Sequence, residues 1–94
     1  MITAIVMIDA EVGRIPQVAE QVAGLEGVSE VYSVTGNADL IAIVRVHEHD
    51  QLAGVIADRL NKVDGITGTQ THIAFRTYSR HDLEAAFSLG LDDG

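Results

Sequence analysis

Shifted against itself by 38 residues, the chain lays apolar residue on apolar residue and glycine on glycine. Ile5 meets Ile43, Val6 meets Val44, Val18 meets Ile56, Ala19 meets Ala57 and Val22 meets Leu60; Leu25 then meets Val63, Gly27 meets Gly65 and Val28 meets Ile66. A period of this length holds one strand–helix–strand unit, which cannot bury its apolar face alone. Two such units, each with a right-handed crossover, interleave into one antiparallel sheet with both helices on the same face. The predicted order is β-α-β-β-α-β, an α+β ferredoxin-like fold.

The local signals agree with this order. Ile2 to Ile8 is an apolar run rich in β-branched residues, which predicts a buried first strand ending at Asp9. Pro16 suits a first helical turn, and Ile15, Val18, Ala19 and Val22 follow helical spacing up to Gly24 and Gly27. Strands are predicted near Glu30–Thr35 and Leu40–His47, the second buried on both faces. Gly36 and Asn37 between them tolerate positive φ and reverse the chain.

Asp50 is a candidate cap for a second helix carrying Leu52, Val55, Ile56, Leu60 and Val63, which Gly65 stops. Thr67 to Thr77 alternates Thr67, Thr69, Thr71, Ile73 and Phe75 with Gly68, Gln70, His72, Ala74 and Arg76. This predicts a last strand, and its Thr and Gln content suits a sheet edge. Leu83, Ala86 and Phe87 predict a short terminal helix over about 80–89, so that residues 1–94 form one domain with its core in 2–77.

Charge and composition exclude several functions. A net charge of −8 with only six Lys and Arg, scattered from Arg14 to Arg80, opposes direct binding to nucleic acid. Without cysteine there is no disulfide framework, thiolate nucleophile or Cys-based metal site. No apolar run reaches the roughly 20 residues that cross a bilayer, and Met1-Ile2-Thr3 has no basic flank of a secretory signal. A cytoplasmic protein with no membrane partner is the expectation. His47 and His49 share a strand face but lack a third ligand of suitable spacing, so no metal or other cofactor is expected. The serines lack the context of an activated nucleophile, and no catalytic set is expected. The core is aliphatic, with four aromatic residues in the chain, and much of the uncovered sheet face is apolar; self-association is the economical way to cover it.

The loop between the central strands gathers groups that suit a small polar ligand: backbone N–H donors, the Thr35 hydroxyl, the Asn37 amide and the Asp39 carboxylate. The same residues also serve as plain turn formers. Val34-Thr35-Gly36-Asn37-Ala38-Asp39-Leu40, followed by Gly65-Ile66-Thr67-Gly68-Thr69-Gln70-Thr71-His72-Ile73, resembles the effector domain of the Lrp/AsnC regulators, known as the RAM domain. The resemblance covers Ile2 to Thr77. Family members usually carry an N-terminal helix-turn-helix, whereas this sequence starts at the first effector-domain strand and so resembles the stand-alone form.

The resemblance implies sheet-to-sheet homodimers that assemble into larger rings such as octamers, with a free amino acid bound between dimers. It implies partnership with full-length Lrp/AsnC regulators and an indirect effect on transcription. Its implied ligand-binding residues are Gly36, Asn37, Ala38 and Asp39, with Tyr32, Thr69 and Thr71 lining the pocket. The loop N–H groups would hold an α-carboxylate and Asp39 an α-ammonium. Two other uses of the same topology stand beside this one: an enzyme of the dimeric α+β barrel type, such as a small monooxygenase, and an ACT-like amino-acid-binding module.

Overall fold

The computed structural model describes residues 1–78, so the segment 80–89 assigned to a terminal helix lies outside the described residues. The elements are β1 (Ile2–Ala10), α1 (Ile15–Ala23), β2 (Val28–Ser33), β3 (Leu40–Val46), α2 (His49–Ala53) and β4 (Ile66–Ile73). From α2 the chain runs on through a π-helical segment, Gly54–Arg59, and a 3-10 turn, Leu60–Lys62. The four strands lie in the order β2-β3-β1-β4, with every neighbouring pair antiparallel. This is the ferredoxin-like arrangement, and β4 takes the edge that its Thr and Gln content suggested.

One sheet face is the core. Ala4, Val6, Ile8 and Ala10 of β1 and Leu40, Ala42, Val44 and Val46 of β3 alternate inward, against Val18 and Val22 of α1 and Leu52, Val55 and Leu60 of the second helical segment. Each fully buried Val, Leu or Ile contributes about 1.5–3 kcal/mol by leaving water. The expectation that β3 is buried on both faces is corrected. Both crossovers place their helices on one side, so Ile41 and Ile43 on the other side are only half-buried and Ile5 is 36% exposed.

Three local expectations also shift. Glu48, not Asp50, caps α2: the Gln51 side chain reaches back to the backbone of His47 (2.9 Å) and Glu48 (3.0 Å), which fixes an earlier start for the helix. Asn37 does not share the positive φ of Gly36 (+107°), since one left-handed residue suffices to turn this six-residue connection. The last strand ends at Ile73, although Ala74 still donates to Thr3 (2.9 Å).

The second helix solves a spacing problem. Val55 and Leu60 are both buried although five residues apart, a separation that a regular α-helix would splay. The π-helical turn has the wider repeat that stacks one above the other. In α1 the buried pair, Val18 and Val22, is four apart and the helix is regular; the repeat pairs these with Ile56 and Leu60, but in the second helix Val55 is buried in place of Ile56.

Candidate functional site

The connection between β2 and β3 folds back over the end of β1. Asp39 donates its backbone N–H to Ile8 (3.0 Å) and its carbonyl accepts from Val34 (3.1 Å). Its side-chain Oδ2 accepts the Ala10 N–H at 2.9 Å. Three hydrogen bonds thus pin one residue between the loop and β1, at the point where the β1–β4 register shifts between Asp9 and Ala10. The acceptor role of Asp39 explains why a carboxylate sits half-buried here.

Beside the pinned loop lies a cleft of about 400 Å³ lined by Met7, Asp9, Asn37, Ala38, Gly68, Thr69 and Gln70. Its walls come from the loop, the end of β1 and the start of β4, so the two motifs singled out in the sequence meet across β1. The Asp9 carboxylate reaches over Gly68, where a Cβ would lie 3.6 Å from Oδ2. The site offers one free acid, a Thr hydroxyl, two side-chain amides and loop backbone, a mixture able to hold both ends of a small zwitterion.

The seven residues assigned from sequence take different places. Asn37, Ala38 and Thr69 line the cleft. Gly36 is exposed in the loop, and Asp39 lies beneath it with one oxygen engaged by Ala10. Tyr32 stands on the open sheet face, in register with Ile41, which in turn pairs with Met7. Two strand spacings, about 10 Å, therefore separate it from the cleft-lining Met7. Thr71 instead lines a groove of about 320 Å³ between β4 and the second helix, with His49, Leu52, Ala53, Ile56, Ala57 and Ile73.

Asp9, Met7, Gly68 and Gln70 were not among the seven. The signal for Asp9 was present, since it is the lone acid breaking an apolar strand, and in this topology the end of β1 abuts the start of β4. Among the described residues, no three His, Cys, Asp or Glu side chains group as a metal site, and no helix is long and apolar enough to cross a membrane.

Electrostatically the open face carries one clear perturbation. The Tyr32 phenol is raised above its ordinary 10.0, first by hydrogen bonding to Glu30 and then by partial desolvation. Arg45 also faces Glu30, at 3.6 Å. Just beyond the end of β1, Arg14 bridges Asp64 (3.1 Å) and Glu11 (3.6 Å), which hold its guanidinium above its usual value.

Residues 3–83 match the model of the Lrp/AsnC ligand binding domain. An uncharacterised HTH-type transcriptional regulator of Pyrococcus abyssi is 38% identical over 72 residues, which is 77% of this chain and 46% of that protein. The chain therefore spans less than half the length of this curated relative. Among solved structures, TTHA0845 from Thermus thermophilus is 41% identical with a TM-score of 0.80, over 85% of this chain and 100% of that one. A transcriptional regulator from Neisseria meningitidis, solved as a complex with L-Met, shares the fold at a TM-score of 0.74 and 14% identity, over 84% of this chain and 53% of that one. With its fold, its two motifs and this match along most of its length, the chain belongs to the Lrp/AsnC family, through that family's ligand-binding domain.

Proposed function

We propose that this domain is a non-enzymatic sensor that binds a free amino acid in the cleft beside the β2–β3 loop and reports it through its own assembly. The observation that carries the reading is the convergence of Asn37, Ala38, Gly68 and Thr69 with the Asp9 carboxylate in one cleft at the sheet end. The loop N–H groups and the Asn37 amide suit an α-carboxylate, and Asp9 suits an α-ammonium. Asp39, with Oδ2 on the Ala10 N–H, holds the loop in shape for both. The family of regulators, and the L-Met complex of the Neisseria protein, favour an amino acid as the class of ligand.

The open face bearing Ile5, Met7, Ile41 and Ile43 is the natural homodimer surface, and a second dimer completes the cleft to give a ring such as an octamer. Ligand that binds only the assembled form stabilises it by about 2.7 kcal/mol at 100 times its dissociation constant. That shift is large enough to convert a marginal dimer population. Acting through its own assembly or by joining full-length regulators, such a domain would reach transcription without touching DNA itself, in keeping with its charge of −8.

A thermal-shift screen of the twenty amino acids, with oligomer size measured on each hit, tests the reading. At least one amino acid should raise both the melting temperature and the assembly size. Asp9→Asn should remove the effect without changing the fold, and Asp39→Ala should remove it by loosening the loop. A screen with no hit, or a hit unaltered by Asp9→Asn, refutes the assignment.

A further inference from the structure

The edge strand β4 leaves part of the helix side of the sheet uncovered. Thr71 and Ile73 pair in register with Val6 and Ala4 of β1, which are fully buried on that side, so both point towards the helices. Yet Thr71 is exposed and Ile73 is 47% exposed, because α2 packs on β3 and β1 and stops short of the edge. What remains is the groove of about 320 Å³ between β4 and the second helix. Its helical wall is formed by His49, Leu52, Ala53, Ile56 and Ala57, the i, i+3, i+4, i+7, i+8 spacing of a packing face. Ala53 and Ala57 are small and exposed, so another helix can approach closely. Ile5, Met7, Ile41 and Ile43 face the other side of the sheet, and an interface there leaves this groove open.

We propose that this chain's own C-terminal segment closes the groove, as a helix over 80–89 that lays Leu83, Ala86 and Phe87 between β4 and the second helix. The sequence supplies a segment of matching length and pattern. Ser79-Arg80-His81-Asp82 has the capping-box spacing of a helix start, and Gly90 is the residue type of a helix end. The ten residues between Ser79 and Gly90 span about 15 Å as a helix, and the wall from His49 to Ala57 spans about 12 Å. Leu83, Ala86 and Phe87 share one face at helical spacing, while Glu84 and Ser88 fall away from it.

Tethering selects this occupant over a separate molecule. Ile73 is itself a wall of the groove, and the nine residues from Ala74 to Asp82 reach up to about 30 Å. That is ample for the chain to turn back, and a short tether gives the segment an effective concentration on the order of mM. A free peptide, or the tail of a second copy, competes from a far lower concentration. The nearer aromatic residues do not fill the groove, since Phe75 is 99% exposed and Tyr78 is 73% exposed.

The chain has no cysteine, so Ser88→Cys, off the apolar stripe, gives a single site for a nitroxide label. In NMR spectra of the full labelled chain, the amides of Ala53, Ala57, Thr71 and Ile73 should broaden, and reducing the nitroxide should restore them. Phe87→Asp in the labelled chain should remove the broadening and lower Tm by at least about 5 °C. The fold should survive this change, because every buried residue of the core cluster lies between Ala4 and Leu60. Ala57→Glu, which puts a charge on the opposite wall, should remove the broadening as well. Mixing labelled, unenriched chain with unlabelled, isotope-enriched chain identifies the owner of the tail, and the groove amides should stay sharp. Broadening in that mixture assigns the groove to a second copy's tail, and sharp groove amides in the labelled chain leave it to some other molecule. Either result, or broadening that persists in Phe87→Asp, overturns the proposal.

Discussion

Asp39 shows how a single side chain can be read two ways. The residue type suits an ammonium partner, but its Oδ2 accepts the Ala10 N–H, so part of its role is to close the β2–β3 loop onto β1. Asp39→Ala leaves that donor without its acceptor and should destabilise the domain by about 1–3 kcal/mol in urea unfolding; Asp39→Asn, which keeps an acceptor, should lose much less. Gly27 and its repeat partner Gly65 have positive φ (+96° and +99°), and an added Cβ would lie 2.5 Å from Val55 Cγ2 in one case and 2.8 Å from Val18 Cγ2 in the other. Alanine at either position should cost about 1–3 kcal/mol from overpacking alone. Tyr32 carries a pH signature. Because Glu30 favours the neutral phenol, any stability linked to it is present below the unfolded value and lost as pH rises through the higher folded one. Ultraviolet titration should place its ionisation above 10.0, and Glu30→Ala should bring it back towards that value.

Among the elements, the second helix departs furthest from a regular repeat. Its start depends on one glutamine that accepts two backbone N–H groups, and Gln51→Ala should cost about 1 kcal/mol. Its middle depends on the π-helical turn that lets Val55 and Leu60 bury together. Deleting the exposed Ala57 would bring them to the four-residue spacing seen in α1. The shortened chain should fold with unchanged or greater far-UV helical signal, whereas Leu60→Ala, which empties a fully buried position, should cost about 2–5 kcal/mol. The apolar pattern of this helix was legible in the sequence, but the choice of Val55 over Ile56 as the buried partner was not. Both fit a helical stripe, and only the packing against β3 and β1 selects between them.

For the whole molecule, the two-fold repeat sets the topology and the topology sets which ends meet. Strand order β2-β3-β1-β4 brings the β2–β3 loop to the start of β4 across the end of β1. The open face should behave as an interface: Ile43→Glu places a charge among Ile5, Met7 and Ile41 and should reduce a dimer to monomers in light scattering, with the monomer still folded because Ile43 faces away from the core.

Read alone, the sequence determined the element order, the single sheet, the edge position of β4 and the loop-and-strand pair of motifs. The first two follow from periodicity, turn residues and the 38-residue repeat, the third from the Thr and Gln content of the last strand, and the motif pair from the resemblance to the Lrp/AsnC effector domain; all are local or nearly local signals. Tertiary structure alone decided that Asp9 and not Asp39 lines the cleft, and that Tyr32 and Thr71 lie outside it. The physical reason is that residue type and spacing fix which face of an element a side chain occupies. Which hydrogen bonds and cavities it meets there depends on register between strands distant in sequence.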